Sequence, residues 1–441
     1  EQVRTPRQKT ITFVIPCYNS AAYMDACIES ILGGGRDIEI IIVNDGSTKD
    51  DTAEKADEWV AAHPDIIKVI HQENAGHGGA VMAGLRAASG VYFKVVDSDD
   101  WLDRTARDLL LAKLRGFIAG DNLVDLVVCN YVYEHVQTGS QKVIRYLGAL
   151  PTNKIIGWDE VGVFGPGQNI LMHAATFRTQ VLRDSGLDLP KHTFYVDNIF
   201  VYVPLPFVKT LHYLPVNLYR YFIGREDQSV NETVMIGRLD QQMRITNIMV
   251  DAYTLPDEVP SKRLARYMEG YLSLIIAASS MFAAIRNDPE ALEMRKQMWA
   301  HLYAKDVKMA KRIGRHPIVL GSNLSSRPGR SASVAGYRIA LDPQHLGAPL
   351  ESLPLVGVEL RDRPVARAIL AADALTADHF EVLDDRQLLD LIEEHLAFQA
   401  REIALHIDQR MRAYVQVLRG ARALFDASDE VTAADRSEEH T

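Results

Sequence analysis

The sequence predicts an α/β fold in which a mainly parallel sheet is flanked by helices, followed by a mostly α-helical carboxyl-terminal region. Three observations predict it. Apolar, β-branched runs recur along the first hundred residues, helix-like segments separate them, and a polar turn follows each run. Continuous rather than alternating hydrophobicity is typical of strands covered on both faces, and strand–helix alternation is typical of a parallel sheet with right-handed crossovers.

The apolar runs and the segments between them locate the individual elements. Four strands are predicted at Ile11–Pro16, Ile38–Val43, Ile66–His71 and Val91–Val96. Three intervening helices are predicted at Ala22–Leu32, Asp50–Ala62 and Gly79–Ala88. Further along, Asn169–Arg183 predicts a strand or turn that leads into a helix, Trp158–Gly167 predicts a loop, and another helix is predicted to start at Asp197.

Polar, turn-prone residues follow each of the four predicted strands. They are Pro16–Asn19, Asn44–Ser47, Gln72–Gly76 and Asp97–Asp100. Ligands of parallel α/β sheets bind beyond the carboxyl ends of the strands, so these turns predict a single site at one sheet edge. Ordinary turn chemistry explains any one of them, but it explains the set less well.

The densest of these turns reads DSDDW, with Asp97, Asp99 and Asp100 within four residues. Three neighbouring carboxylates repel one another, and a divalent cation would relieve that repulsion. Mg²⁺ or Mn²⁺ binds through one or two protein carboxylates together with water and substrate phosphates. The turn therefore predicts a site for a metal–diphosphate complex. The alternative is an acidic turn that caps the next helix, with Asp100 or Asp103 as its N-cap.

Four segments in this order carry a resemblance to a known family. VIPCYN, IIVNDGSTKDDT, ENAGHGGAVMAGLRAASGVYFKVVDSDDWLD and YVDNIF resemble a family 2 glycosyltransferase with the glycosyltransferase-A nucleotide-sugar fold. The resemblance covers roughly Thr10–Val230, and its ordered combination of motifs is specific although each motif alone is weak. The chain departs from many relatives at the acceptor-side acidic pair, which reads Val196-Asp197 and holds a single carboxylate.

The resemblance implies a reaction and a set of site residues. It implies an inverting transfer of a sugar from a nucleoside diphosphate sugar, with a UDP-sugar expected, to a hydroxyl of a saccharide or lipid-linked saccharide. The context would be cell-surface polysaccharide or glycoconjugate assembly, with Mn²⁺ or Mg²⁺ as cofactor. The implied catalytic base is Asp197 and the implied metal ligand is Asp99. The implied donor-binding residues are Pro16, Tyr18, Asn19, Asp45, Gly76, Gly78, Asp97, Ser98, Arg225 and Ser229.

Two of these carboxylates also have chemistry that can be argued from their positions. Asp45 at a strand end can accept from an imide N–H or a ribose hydroxyl, and the alternative is an Asx turn over Asp45–Ser47 that caps the next helix. Asp197 at a predicted helix start would be kept ionised by the helix dipole, as suits a base that deprotonates an acceptor hydroxyl. The alternative is that Asp197 only caps its helix.

Several basic residues are weaker candidates. A charge at Lys94 inside a strand is expensive unless it is paired, so Lys94 is expected to reach phosphate or an internal acidic partner, or else to extend toward the strand end. The segment YRYFIGREDQSVN offers Arg220, Arg225, Gln228 and Ser229 as a polar lid that could bind the leaving diphosphate. Among His77, His173 and His192, His192 is favoured because it lies just before Asp197.

Length and composition set the organisation. The 441 residues suggest a catalytic domain at 1–232 and a mostly helical domain at 233–441 with an irregular segment around 312–360. A net charge of −10 argues against nucleic acid as a partner. The three cysteines show no disulfide or zinc spacing and no signal peptide is recognised, so a cytoplasmic location is expected, with a peripheral position at the inner membrane face left open.

The carboxyl-terminal half holds two long apolar patterns. Gly270–Ile285 is the most apolar run, shorter than a membrane span, and is predicted to be a buried core helix, with an interfacial helix as the alternative. Gln387–Phe425 predicts a long helix with an apolar stripe that packs on its own domain or forms a homodimer.

Two other functions fit parts of the sequence. A sugar-nucleotide pyrophosphorylase would need an early Gly-rich loop with basic residues, which ITFVIPCYNSAAY lacks. A non-catalytic nucleotide-sugar-binding scaffold would be expected to have lost site carboxylates, yet Asp45, Asp97, Asp99 and Asp197 are all present.

Overall fold

The computed structural model describes residues 8–135, 139–165, 168–223, 232–323, 330–331 and 333–334. These residues divide into two compact units. The first lies within Glu1–Arg225 and Val259–Arg266, and the second within Glu226–Glu258 and Tyr267–Thr441. The predicted helix Gln387–Phe425, together with Arg225 and Ser229, lies outside the described residues.

The first unit is built on a sheet of ten strands among the described residues. The strands are β1 Ile11–Cys17, β2 Ile38–Asp45, β3 Ile67–Gln72, β4 Tyr92–Val95, β5 Trp101–Leu102, β6 Leu126–His135, β7 Ser140–Ile144, β8 Ile155–Ile156, β9 Ala175–Arg178 and β10 Leu211–Ile223.

Helices of the first unit connect and cover these strands. They are α1 Met24–Leu32, α2 Thr52–Ala62, α3 Gly76–Ala87, α4 Arg104–Ala119, α5 Thr179–Asp184 and α6 Asp197–Tyr202. The strand and helix positions predicted between Ile11 and Val96 are confirmed within three residues at each end. Asn169–Arg183 also forms the predicted strand-then-helix pair, as β9 and α5, and α6 begins at Asp197 as predicted.

The sheet is mixed, with a parallel core at one side. Its order is β3-β2-β1-β4-β9-β6-β10-β5, with β7 beside β6 and β8 beside β10. The pairs β1–β2, β2–β3, β1–β4 and β6–β10 are parallel, whereas β9 runs antiparallel to both β4 and β6. This confirms the predicted α/β fold, in which a sheet with a parallel core is flanked by helices. The carboxyl ends of β1, β2, β3 and β4 therefore lie along one edge.

Continuous apolar burial explains the parallel part. Every residue of β1 and β2 is buried, including Glu39, whose carboxylate accepts from Thr12 Oγ1, Ser89 Oγ and Lys68 Nζ at 2.5, 2.8 and 2.7 Å. A buried charge is tolerated when its oxygens are hydrogen-bonded in this way. These contacts lie at the end of the sheet opposite the polar turns, so they stabilise the fold without entering the site.

The second unit is helical in its described part. Its helices are α7 Glu232–Gly237, α8 Leu239–Ala252, the greater part of α9 Lys262–Arg286, α10 Pro289–Lys305, α11 Val307–Gly314 and α12 Pro317–Ser322. Asp288 and Asp306 cap α10 and α11 by accepting from Ala291 N and Met309 N. The start of the segment expected to be irregular is therefore helical, because Asp306 caps α11 and Pro317 occupies the first turn of α12.

Helix α9 contains the apolar run Gly270–Ile285. The helix extends beyond the predicted run to 25 residues, and by length and apolar composition alone it could cross a bilayer. However, 78% of its most apolar window is buried within the protein. Buried polar side chains also pack on it, with Thr246 Oγ1 and Ser279 Oγ 2.8 Å apart. These contacts are those of a core helix.

Candidate functional site

The end of β2 is fixed by its own carboxylate. Asp45 is 3% exposed, and its Oδ1 accepts from Gln72 Nε2 at 2.7 Å and from Ala75 N at 2.8 Å. Asp45 thus fixes the turn between β3 and α3 through one carboxylate oxygen. In this turn it is Asn44 whose side chain bonds the backbone, because its Oδ1 accepts from Ser47 N at 3.1 Å.

The end of β1 is tied to the loop that follows β2. Asn19 has a φ of +50°, a region in which asparagine is favoured over most residues. Its Oδ1 accepts from Thr48 N and Lys49 N at 3.1 and 3.0 Å, so it closes the loop after β2. Pro16 is a strand residue, whereas the neighbouring Tyr18 side chain is 50% exposed and faces outward.

Asp97 follows β4 and forms an ion pair with a histidine from the first turn of α3. His77 Nε2 lies 2.7 Å from Asp97 Oδ1. Burial alone would lower the pKa of His77, but the charges of Asp97, Asp197 and Asp99 and the hydrogen bond to Asp97 outweigh burial and raise that pKa. Burial likewise opposes ionisation of Asp97, and His77 nevertheless lowers the pKa of Asp97. The charges of three carboxylates therefore favour the protonated form of His77.

Asp100 has the opposite environment. It is 1% exposed, and its oxygens accept from Tyr219 Oη at 2.6 Å and from Phe222 N at 2.8 Å, which ties the DSDD turn to β10. Burial and the charges of Asp99 and Asp97 raise the pKa of Asp100 well above its ordinary value. Asp100 therefore does not cap α4. That N-cap is Asp103, whose Oδ1 accepts from Ala106 N at 2.9 Å.

His173 approaches the same carboxylates from the segment before β9. Its Nε2 lies 3.9 Å from Asp97 Oδ2, and its ring lies against the rings of Tyr219 and Tyr221 with centroids 4.7 Å away from each. One ligand atom each from Asp97, Asp100 and His173 falls within 4.8 Å of the others. Asp99, the expected metal ligand, is half-buried and close enough to these groups to raise the pKa of Asp100.

This set of donors fits a divalent cation. Carboxylate oxygens suit Mg²⁺ and Mn²⁺, and a cation would relieve the repulsion that raises the pKa of Asp100. The half-buried carboxylates of Asp97 and Asp99 remain reachable from solvent, while Asp100 is occupied by Tyr219 and Phe222. When bound, such a cation would supply charge neutralisation for a diphosphate.

Asp197 is the first residue of α6, and Asn198 Nδ2 lies 3.2 Å from its Oδ1. The capping alternative does not hold, because the N-cap residue is Val196 and no side chain caps this helix. Asp197 acts on the pKa of His77 together with Asp97 and Asp99. The structure thus brings the YVDNIF segment to the edge that carries the DSDD turn, across about one hundred residues of sequence.

Two glycines make that approach sterically feasible. A Cβ on Gly76, at φ +74°, would lie 2.8 Å from His192 N, and one on Gly78 would lie 2.8 Å from Pro190 O. His192 N donates to Ala75 O at 2.9 Å. The 189–196 loop, which leads to Asp197, packs so closely on these two positions that only glycine fits there. The sequence predicted close contact with the nucleotide at these glycines and did not predict this contact with the loop.

The basic candidates have other partners. Lys94 is fully buried and donates to His173 O at 2.8 Å and Ala175 O at 3.2 Å, so the expected phosphate, acidic partner or strand-end position is wrong. Burial lowers the pKa of Lys94 to about 8. Arg220 Nη1 and Nη2 lie 2.8 Å from Glu134 and 3.1 Å from Asp103, so this side chain is held by the protein.

Of the three histidines, His192 is exposed and meets α3 through its backbone, whereas His77 and His173 face Asp97. The site role expected for His192 stays a prediction. His77 directly follows the third strand-end turn, and that position in the sequence could have singled it out for contact with Asp97. Ser98 is buried, and its Oγ donates to Ser20 Oγ at 2.8 Å.

Comparison with known proteins identifies the domain. Residues 12–176 match glycosyl transferase family 2. Residues 12–176 are therefore similar to family 2 glycosyltransferases. Over 130 residues the chain is 40% identical to the putative glycosyltransferase EpsH of Bacillus subtilis, covering 29% of this chain and 36% of EpsH. Over 116 residues it is 37% identical to chondroitin synthase of Escherichia coli, covering 26% of this chain and 17% of that protein.

The chain thus matches about a third or less of the length of these relatives. A crystal structure of residues 1–349 of Staphylococcus aureus TarS in complex with UDP-GlcNAc superimposes with a TM-score of 0.55 at 14% identity. That likeness covers 75% of this chain and 91% of the TarS chain, and it shows the shared fold. The match of the family 2 domain ends at residue 176, so Asp197 lies beyond it.

Proposed function

We propose that this protein is an inverting, metal-dependent glycosyltransferase that moves a sugar from a nucleoside diphosphate sugar to a hydroxyl of a saccharide or lipid-linked saccharide. A UDP-sugar is the proposed donor, Mn²⁺ or Mg²⁺ the proposed cofactor, and polysaccharide assembly in the cytoplasm the proposed context. The family 2 domain supports the class of reaction. The likeness to chondroitin synthase of Escherichia coli and to TarS in complex with UDP-GlcNAc supports this choice of donor and context.

One observation carries the proposal: His77 Nε2 lies 2.7 Å from Asp97 Oδ1, and the charges of Asp97, Asp197 and Asp99 raise the pKa of His77. Carboxylates from two distant segments therefore share one small region at the edge where ligands of such sheets bind. A metal ligand and a general base that act in the same displacement reaction must lie in the same site.

The proposed division of labour follows from burial and partners. Asp99 and Asp97 hold the cation, which when bound offsets charge on the departing diphosphate. Asp45, Asn19 and the turn around Pro16 and Tyr18 hold the nucleoside, and Gly76, Gly78 and Ser98 shape the floor of the donor site. Arg225 and Ser229 are proposed to contact the diphosphate.

Asp197 is the proposed general base. It is only half-buried and is the first residue of α6. Its carboxylate takes the proton of the acceptor hydroxyl as that oxygen attacks the anomeric carbon and the nucleoside diphosphate departs. A single displacement of this kind inverts the configuration, and His77 keeps Asp97 ionised beside it.

The test is a thermal-shift panel of UDP, GDP, ADP and their common sugars, each with and without Mn²⁺, followed by transfer assays with the donor that binds. We expect one nucleoside diphosphate to raise the melting temperature more in the presence of Mn²⁺ than without it. Full activity after chelator treatment would refute metal dependence. No shift with any nucleotide, together with no transfer, would refute the proposed function.

A further inference from the structure

The second unit contains a concave groove outside the region just described. It encloses about 630 Å³ and is formed by α10, α11 and the residues after α12. A volume of this size is sufficient for a small oligosaccharide or a drug-sized molecule.

The groove is strongly cationic in an otherwise acidic protein. Five basic side chains line it, and none of its described lining residues is an aspartate or glutamate. The basic residues are Arg295, Lys296, Lys311, Arg315 and Arg330. The whole chain carries a net charge of −10, whereas this one surface carries five positive side chains. The groove therefore has the opposite sign of charge from the protein as a whole, and its charges are more closely spaced.

Arg295 shows that the groove is built rather than incidental. Its side chain is 6% exposed, and its Nε and Nη2 donate to Asn323 Oδ1 at 3.1 and 2.7 Å. Asn323 is neutral, so this contact orients the guanidinium without cancelling its charge. Burial, with a further contribution from the nearby Arg330, lowers the pKa of Arg295 to about 10. The cation is therefore held in place at an electrostatic cost that an anion would offset.

Two aromatic rings complete the lining. Trp299 and Tyr303 lie one turn apart on α10, with ring centroids 6.4 Å apart, and Tyr303 is 43% exposed. Exposed aromatic rings give an apolar platform with polar edges. The C–H face of a pyranose ring packs on such a platform, while carboxylate or phosphate groups on the same molecule would meet the guanidinium and ammonium groups.

We propose that this groove binds an anionic saccharide, whose carboxylate or phosphate groups contact the five basic residues and whose ring packs on Trp299 and Tyr303. The saccharide part rests on the proposed function, because a glycosyltransferase handles saccharide acceptors and products. The anionic part rests on the groove alone.

The first experiment measures binding to the full chain by calorimetry with no donor present. The probe is a tetrasaccharide of alternating glucuronate and N-acetylglucosamine, compared with maltotetraose, inorganic phosphate and a thymidine tetranucleotide. We expect the acidic tetrasaccharide to bind at least about tenfold more tightly than each of the others and to weaken as salt screens the charges. Equal binding of maltotetraose or phosphate, tighter binding of the tetranucleotide, or no binding of the acidic tetrasaccharide would overturn the proposal.

The second experiment locates that binding with matched variants on α11. Lys311→Glu reverses an exposed charge that lines the groove, and Lys308→Glu reverses an exposed charge on the same helix that does not line it. We expect about a tenfold loss of tetrasaccharide affinity for the first variant and less than about twofold for the second. Tyr303→Ala should weaken the tetrasaccharide while leaving phosphate binding unchanged.

Melting curves establish that each variant is folded. We expect both charge-reversal variants to fold, because Lys308 and Lys311 are exposed. Undiminished binding in Lys311→Glu would place the tetrasaccharide elsewhere and overturn the proposal. Transfer activity does not enter either measurement. A chain that binds the tetrasaccharide but shows no thermal shift with any nucleotide and no transfer would refute the proposed function alone. A chain that transfers sugar without binding the tetrasaccharide would refute the groove proposal alone.

Discussion

At the residue scale, the DSDD turn shows how position changes the chemistry of one residue type. Asp97 and Asp100 are three residues apart, yet His77 lowers the pKa of Asp97 whereas burial and neighbouring carboxylates raise that of Asp100. Tyr219 Oη and Phe222 N fix Asp100 to β10, so it is an anchor for the turn. Asp99 and Asp97 are half-buried, so a ligand can reach their carboxylates from solvent.

The first prediction concerns Asp99. Asp99→Asn removes a charged ligand, so transfer should fall by at least about a hundredfold while the melting temperature is unchanged or rises, because a repulsive charge is lost. Asp108→Asn, at a carboxylate that is 61% exposed on α4, is the matched control and should keep activity. Wild-type turnover in Asp99→Asn would exclude Asp99 as a ligand that the reaction needs.

The second prediction concerns Asp197. Asp197→Asn should retain donor binding but lose about 10²–10⁴-fold in kcat, because a proton acceptor acts mainly in the transition state. Asp188→Asn, an exposed carboxylate in the preceding loop, should behave as the wild type. Steady-state kinetics and a donor titration separate the two effects. If kcat survives in Asp197→Asn, the base is another residue.

At the element scale, the amino end of α3 and the 189–196 loop depend on each other. Gly78→Ala would bring a methyl group to 2.8 Å from Pro190 O, so the loop must shift. We expect a loss of about 1–3 kcal/mol in the free energy of unfolding and a lower kcat through displacement of Asp197. Gly116→Ala in α4, where an added Cβ meets nothing within 4 Å, should instead be neutral or stabilising by up to about 1 kcal/mol.

Chemical denaturation and kinetics on both glycine variants check this pair. A Gly78→Ala enzyme with unchanged stability and unchanged kcat would mean that the loop adapts freely, and the steric account of the GHGG motif would be wrong.

Another element-scale contact ties α4 to the residues before β2. Arg115 Nη2 and Nε lie 2.6 and 2.8 Å from the two oxygens of Asp37. The hydrogen bonds from Arg115 lower the pKa of Asp37 to about 2, from 3.8. Because the folded-state pKa is depressed, the stabilisation is fully present above about pH 4 and is lost as the pH falls toward 2.

Arg115→Gln should therefore lower stability at neutral pH by about 1 kcal/mol, a value discounted because the pair is partly exposed to solvent. The difference from the wild type should shrink between pH 4 and pH 2. Arg36→Gln, at an exposed neighbouring arginine, is the control. It should change neither the stability at neutral pH nor the dependence of stability on pH. A constant difference across that pH range would show that Arg115 acts through packing and not through the charge of Asp37.

At the scale of the whole molecule, the strand order decides which segments meet. β9 inserts between β4 and β6, which carries His173 to the DSDD turn and places its carbonyl on Lys94 Nζ. The residues that line the cationic groove all belong to the second unit. The apolar stripe predicted at Gln387–Phe425 lies outside the described residues and stays a prediction.

That stripe still yields an experiment on the full chain. A helix with so long an apolar face is expected to dock on its own chain or on a second copy, since it exposes too much apolar surface alone. Replacing Ile403 and Ile407 by Glu should therefore lower the melting temperature or halve the mass measured by light scattering. Unchanged mass together with an unchanged melt would show that the segment is not packed.

The sequence by itself determined the parallel half of the fold, the resemblance to family 2 glycosyltransferases, and the strand-end turns that carry Asp45, Asp97 and Asp99. These are local signals, because strand periodicity, turn composition and contiguous motifs are written in adjacent residues. Only the tertiary structure decided that His77 and His173 face Asp97 while His192 does not, that Lys94 is buried on backbone carbonyls, and that Arg220 is held by Glu134 and Asp103. Those partners are separated by 20 to 117 residues, and burial together with the strand order brings them into contact.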